Sequence, residues 1–197
     1  MPKPSARPLI LASRSPRRRL LLKQIGLDFV VHPSSVDERF HDHESPRTGA
    51  RRVAEEKAMD VARSFGEGIV VGADTIVVVG TEVLGKPKTE KEARGMLRKL
   101  SGRAHVVYTA IALVDVKTRK KISEVVRTKV QFRTLTENEI ARYVASGSPM
   151  DKAGAYGIQD DYGAVFVEKV EGCFYNVVGF PLSRFHRAYQ KFLRELH

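Results

Sequence analysis

A single cysteine, Cys173, stands in 197 residues, so no internal disulfide can form. That agrees with a reducing compartment, and without a His and Asn/Asp arrangement to activate it the thiol reads as a small hydrophobe. Tryptophan is absent, and no aromatic-rich basic stretch or RNA-recognition signature is present, though composition alone does not choose between nucleic acid and nucleotide. No apolar run approaches the roughly 20 residues needed to cross a bilayer. The apolar stretch after Lys3 and Arg7 is too short for a secretory h-region, so the expected setting is cytoplasmic, with no membrane partner. Repeats, low-complexity tracts, a P-loop and a dinucleotide-binding glycine fingerprint are all missing. Acidic residues are scarce beside basic ones, 23 against 34, for a formal charge of +11 spread along the chain. This excess suits an anionic partner, whether nucleic acid, membrane surface or polyphosphate.

What is present is ordinary globular material, 42% hydrophobic and 29% charged. Residues 9–12 read as a short buried strand. Ser15 then caps a helix with Pro16 at its first position and Gly26 as its stop. Residues 29–31 read as a strand and 33–49 as a mobile loop. The spacing of Val53, Ala54, Ala58, Val61 and Ala62 predicts a helix over 46–65. Strands are expected over 69–79, 105–116 and 122–133, the last two around the polar turn Lys117-Thr118-Arg119-Lys120. Helices are expected over 90–100, entered through Thr89, and over 136–145, where Thr136 and Glu139 form a capping box. Strands near 165–170 and 175–178 and a helix over 181–196 complete an α/β pattern.

Several residues break the local rules, as functional residues tend to. In Ser13-Arg14-Ser15-Pro16-Arg17-Arg18-Arg19 three arginines crowd the first turn of a helix, against its macrodipole. A phosphate there would reverse the sign of that interaction; solvated surface arginines are the other reading. Asp74 interrupts the β-branched run of residues 69–79, where a carboxylate is costly unless paired or metal-bound. Gly72 and Ala73 beside it leave room for a ligand. Lys57 shares the apolar face of its helix, either snorkelling outwards or reaching into a cleft. The segment Asp151-Lys152-Ala153-Gly154-Ala155-Tyr156-Gly157-Ile158-Gln159 pairs small residues with polar contacts. Glu38 could join Asp74 at a metal, and Lys86 in Gly85-Lys86-Pro87 could bring a cation to the same mouth. His32, His41 and His43 suggest zinc, but the His-x-His spacing lacks a clear third ligand.

Taken in order, these strings resemble the Maf family of nucleotide pyrophosphatases over nearly the whole chain. The resemblance rests on Ala12-Ser13-Arg14-Ser15-Pro16-Arg17-Arg18, then Glu38, Lys57, Gly72-Ala73-Asp74-Thr75 and Gly85-Lys86-Pro87. The 151–159 segment and Asn176-Val177-Val178-Gly179-Phe180-Pro181 complete it, with Phe180 where leucine is more usual. It implies one domain over residues 1–197, a two-lobed α/β fold related to inosine-triphosphate pyrophosphatases. A mixed central sheet would be flanked by helices, with the active site in the cleft between lobes. It also implies a homodimer, Mg²⁺ or Mn²⁺ dependence, and hydrolysis of a nucleoside triphosphate to monophosphate and pyrophosphate.

Thr75 and Gln159 are similar to the branch acting on dTTP and UTP, and with Arg17 occupy the positions associated with that choice; the sister branch acts on 7-methyl-GTP. On this reading Asp74 is the general base and, with Glu38, holds the metal. Ser13, Arg17, Arg18, Lys57, Lys86 and Lys152 grip the triphosphate, while Thr75 and Gln159 read the base. A nucleotide-binding regulator of septum formation without essential turnover is the non-enzymatic alternative, since the family is associated with that process. A nucleic-acid binder is the reading from charge alone.

Overall fold

The computed structural model describes residues 7–41, 43–159 and 162–196. The chain alternates strand and helix as β1(Leu9–Leu11), α1(Pro16–Gln24), β2(Val30–Val31), α2(Pro46–Ala62), β3(Ile69–Val79), β4(Glu82–Leu84), α3(Glu90–Leu100), β5(Ala104–Asp115), β6(Lys121–Phe132), α4(Glu137–Ala145), β7(Val167–Glu171), α5(Phe174–Val178) and α6(Leu182–Glu195). The strands form one sheet in the order β2-β1-β3-β5-β6-β7, with β4 paired to β3. It is mixed: β1 runs parallel to β2 and β3, whereas β3–β4 and β6–β7 are antiparallel. Two compact units divide the chain. One comprises the described residues of Met1–Asp74, Thr109–Val126 and Gly179–His197; the other is Thr75–Tyr108 with Arg127–Val178.

In the first unit Ile69, Val70 and Val71 of β3 are wholly buried, and α2 lies against the strand. The approach is so close that a β-carbon on Gly72 would come 2.1 Å from the carbonyl oxygen of Ala54. The small residue expected to admit a ligand is thus spent on helix–strand contact. Ala50, Val53, Ala54, Ala58, Val61 and Ala62 give α2 its buried face, matching the predicted spacing. The ring of Phe40 packs over Gly49 on the same helix. The helix starts at Pro46, as the spacing predicts, with Ser45 as N-cap, so of the overlapping expectations for 46–49 the helix holds and the loop does not.

The second unit has its own core. Leu97 and Leu100 of α3, Ile140 and Tyr143 of α4, and Val130 and Phe132 of β6 gather with Tyr156 and Phe166. Both helices begin as read from the sequence: Thr89 caps α3, and Thr136 with Glu139 forms the capping box of α4. Residues 175–178 are helical rather than a strand. Buried Asn176 donates to the carbonyl of Val107 at 3.1 Å and to Thr128 Oγ1 at 3.0 Å, anchoring a short turn that a β-branched pair alone would not favour.

His105 lies in this core, with Nε2 2.8 Å from the Tyr156 hydroxyl and its ring edge-on to Phe132 and Tyr156. Burial pushes its pKa down to about 4. The unfolded chain takes up this proton near pH 6.5, the native chain only near 4, so the unfolded state binds more protons between them. The neutral imidazole therefore contributes stability above pH 6.5 that is lost as pH falls toward 4, about 3 kcal/mol at most. Replacing His105 by Gln is expected to flatten the decline in stability over this range in pH-dependent denaturant melts. An equally steep decline in the variant would assign the titration to another group.

Candidate active site

Beyond the end of β1 the backbone stays on β3 through Ala12 N–H to the Val71 carbonyl at 2.8 Å. The chain then turns. Ser13 Oγ accepts from the Ser15 amide at 3.2 Å, and Ser15 Oγ accepts from the Arg18 amide as N-cap of α1. With Pro16 at the first position, this turn directs Arg18 inward. Its Nε donates to the Gly179 carbonyl at 3.0 Å, while Nη1 donates to Ser13 Oγ at 3.1 Å and to the Ala73 carbonyl at 2.8 Å. One guanidinium thus joins the first turn, the strand residue before Asp74 and the entry to α6. Burial lowers its pKa from the ordinary arginine value, opposed by the charges of Asp74 and Glu38. Arg17 is half-buried, and Arg14 and Arg19 are exposed.

The neighbouring ion cluster depends on α2. Lys57 is 6% exposed and Asp74 4%. Lys57 Nζ donates to Asp74 Oδ1 at 2.8 Å and to Glu38 Oε1 at 2.7 Å, and lies 3.5 Å from the Ala73 carbonyl that Arg18 also uses. The lysine does not snorkel; its ammonium ends between two carboxylates. The Glu38 side chain is 46% exposed, so this triad has a buried end at Asp74 and an open end at Glu38. Lys57 is the one donor that reaches the Asp74 carboxylate among the described residues, which leaves its other oxygen able to accept a proton.

Ser13, Arg18, Glu38, Lys57 and Asp74 are therefore brought into one hydrogen-bonded network in the first unit. The other candidates belong to the second unit, apart from Arg17. Thr75, next to Asp74, is half-buried on β3; Lys86, after β4, and Gln159 are exposed. Lys152 is buried, donating to the Ser148 carbonyl at 2.6 Å and to Asp151 at 3.0 Å. Gly154, at φ 71°, donates to the Gly85 carbonyl and sits against Val77, where a β-carbon would meet the side chain at 2.9 Å. Its smallness therefore serves packing within the unit. Asp160 and Asp161, next along the chain from Gln159, lie outside the described residues.

Among the described residues no three His, Cys, Asp or Glu side chains converge as a ready cation cage. Asp74 and Glu38, which share the Lys57 ammonium, are nonetheless donors of the kind a hard divalent ion takes, commonly one or two carboxylates with phosphate oxygens and water completing its shell. Chemically, the cluster offers a buried carboxylate acceptor, two cations and a partly open second carboxylate.

Sequence comparison finds relatives over nearly the full length. The model of a family described as Maf-like protein matches residues 8–192. A dTTP/UTP pyrophosphatase of Dictyoglomus thermophilum is 49% identical over 177 residues, covering 89% of this chain and 91% of its own. Another of that name from Desulforamulus reducens is 45% identical over 186 residues, covering 94% and 97%. A third, from Syntrophomonas wolfei, is 49% identical over 174 residues, covering 88% and 92%. Among solved structures, a HAM1 protein from Coxiella burnetii aligns with 93% of this chain and 98% of its own at 16% identity and a TM-score of 0.47, too distant to inform function.

Proposed function

We propose that this chain, which belongs to the Maf family, hydrolyses dTTP and UTP to the nucleoside monophosphate and pyrophosphate. The observation that carries the chemistry is the buried Asp74 held by Lys57 beside Glu38, next to the inward-facing Arg18. The names of the relatives support the choice of substrates.

In this reading the free oxygen of Asp74 takes a proton from water as the water oxygen attacks the α-phosphorus. The bond from that phosphorus to the bridging oxygen breaks, and pyrophosphate leaves with the electron pair. Lys57 holds the Asp74 carboxylate in place through Oδ1. Arg18 fixes Ser13 and the carbonyl of Ala73, keeping the base at a constant distance from the first turn of α1. Arg17, Lys86 and Lys152 are assigned to the triphosphate, as are Ser13, Arg18 and Lys57. Thr75 and Gln159 are assigned to the base edge. Mg²⁺ or Mn²⁺ held by Glu38 and Asp74 would offset the phosphate charge and polarise the reacting group. A homodimer belongs to the same proposal. No helix among the described residues is long and apolar enough to cross a membrane.

The test is pyrophosphate release from a panel of canonical, modified and 7-methylated triphosphates with Mg²⁺ or Mn²⁺. Fast release from dTTP and UTP is expected, with Gln159→Ala blurring their lead over purines. Tight nucleotide binding without release would replace the enzyme by the regulator of septum formation, and an unchanged ranking in the variant would remove Gln159 from base selection.

A further inference from the structure

Among the described residues, the segment that carries Glu38 between β2 and α2 has no strand or helix of its own, yet it must present one carboxylate to Lys57. It is tied down on both sides of Glu38, each time by α2. Upstream, Asp60 Oδ2 accepts from Ser34 Oγ at 2.7 Å and from the Ser35 amide at 3.1 Å. Downstream, Arg52 Nη2 donates to the Arg39 carbonyl at 2.9 Å, one residue from Glu38. The same guanidinium forks onto Glu44, with Nε to Oε1 at 3.0 Å and Nη2 to Oε2 at 2.9 Å. Its Nη1 reaches both oxygens of Glu56, at 3.1 and 3.0 Å. The five N–H groups that arginine possesses match these five hydrogen bonds.

Arg52, Glu56 and Asp60 recur every fourth residue and form one line on α2, beside the line of Val53 and Lys57. One rigid helix therefore supplies the cation that receives Glu38 and both ties that fix its loop. An exposed ion pair would give little reason for such a design. The Glu44 side chain, however, is 10% exposed and that of Arg52 is 22% exposed.

We infer that Arg52 is a positioning residue: by holding the Arg39 carbonyl and Glu44 on α2 it sets Glu38 at the cluster with Asp74. This rests on the reading of Glu38 as a metal-holding carboxylate, and it predicts that the metal requirement, more than the turnover at saturation, depends on Arg52. Glu38 keeps its charge in an Arg52 variant but samples more positions.

The experiment uses the full chain with Arg52→Met, which keeps the apolar stem, and Arg52→Lys, which keeps the charge without the fork. Arg98→Met, which removes an exposed pair with Glu137, is the control. Trypsin cleavage after Arg39 reads the hold on the loop directly, because Arg52 donates to the carbonyl of that bond and the Arg39 side chain is exposed. Cleavage is expected to accelerate by roughly tenfold or more in both Arg52 variants, as the open loop becomes more populated. The Mn²⁺ concentration for half-maximal pyrophosphate release, and Mn²⁺ binding measured by calorimetry, should both rise by about tenfold or more, with kcat at saturating Mn²⁺ much less affected. Arg98→Met should match the parent in each measurement.

Unchanged cleavage overturns the inference, as does faster cleavage with unchanged Mn²⁺ dependence, and so does full rescue by lysine. A Glu38→Gln chain in the same titrations separates the two readings. Parent-like Mn²⁺ dependence there removes Glu38 from the metal. The hold on the loop is then decided by cleavage alone.

Discussion

Asp74→Asn is expected to reduce pyrophosphate release from dTTP by about a thousandfold, within the range that loss of a general base produces, while leaving a folded chain. The substitution keeps size and shape but removes the lone pair that takes the water's proton. Its effect on the fold follows from the partner. Lys57 would lose a charged acceptor at the buried end and keep Glu38 at the open end. The amide oxygen of asparagine can still accept from the ammonium, so the buried cation is not stranded. The variant should therefore melt cooperatively within several degrees of the parent. The two signals to measure together are release from dTTP at saturating Mn²⁺ and the thermal midpoint. Parent-like release would remove Asp74 as the base. A collapsed melting transition would instead show Asp74 acting mainly as the counter-ion that keeps Lys57 buried.

The sequence displays Asp74 more plainly than it displays its surroundings. A carboxylate inside the β-branched run of β3 is an inconsistency visible in a string of letters, because the cost of burying it is a property of the residue and its neighbours in the chain. Helix starts are equally local. Ser15, Thr89 and Thr136 each cap the helix that follows because the donors they satisfy lie within the next three residues. What escapes a linear reading is the partner supplied from far along the chain. Gly72 is small for the carbonyl of Ala54, and Gly154 for Val77. Residues 175–178 are helical because Asn176 finds Val107 and Thr128. Arg18 shows its charge in the sequence, but not the carbonyls of Ala73 and Gly179 that also fix it. Arg52 leaves a faint trace, the fourfold spacing with Glu56 and Asp60, which on any helix also describes an ordinary solvated stripe. Distinguishing the two requires knowing that the Glu38 loop crosses that stripe.

The second large effect concerns Lys57, whose ammonium is held by the two carboxylates assigned to the divalent ion. Lys57→Met retains the apolar stem but leaves Asp74 buried without its cation. Removing one member of a buried pair costs about 3–5 kcal/mol, though the half shared with Glu38 counts for less, because that side chain is largely in water. For a domain of this size the loss corresponds to a fall of roughly 10 °C in melting temperature in metal-free buffer. A divalent ion would relieve the same two carboxylates, so Mn²⁺ should raise the melting temperature of the variant by more than it raises that of the parent. Melting both proteins with EDTA and then with excess Mn²⁺ measures the difference. A larger shift in the variant is the signature of cation and ammonium drawing on shared oxygens. Equal shifts would separate the metal from Glu38 and Asp74 and leave Lys57 as a structural counter-ion to Asp74.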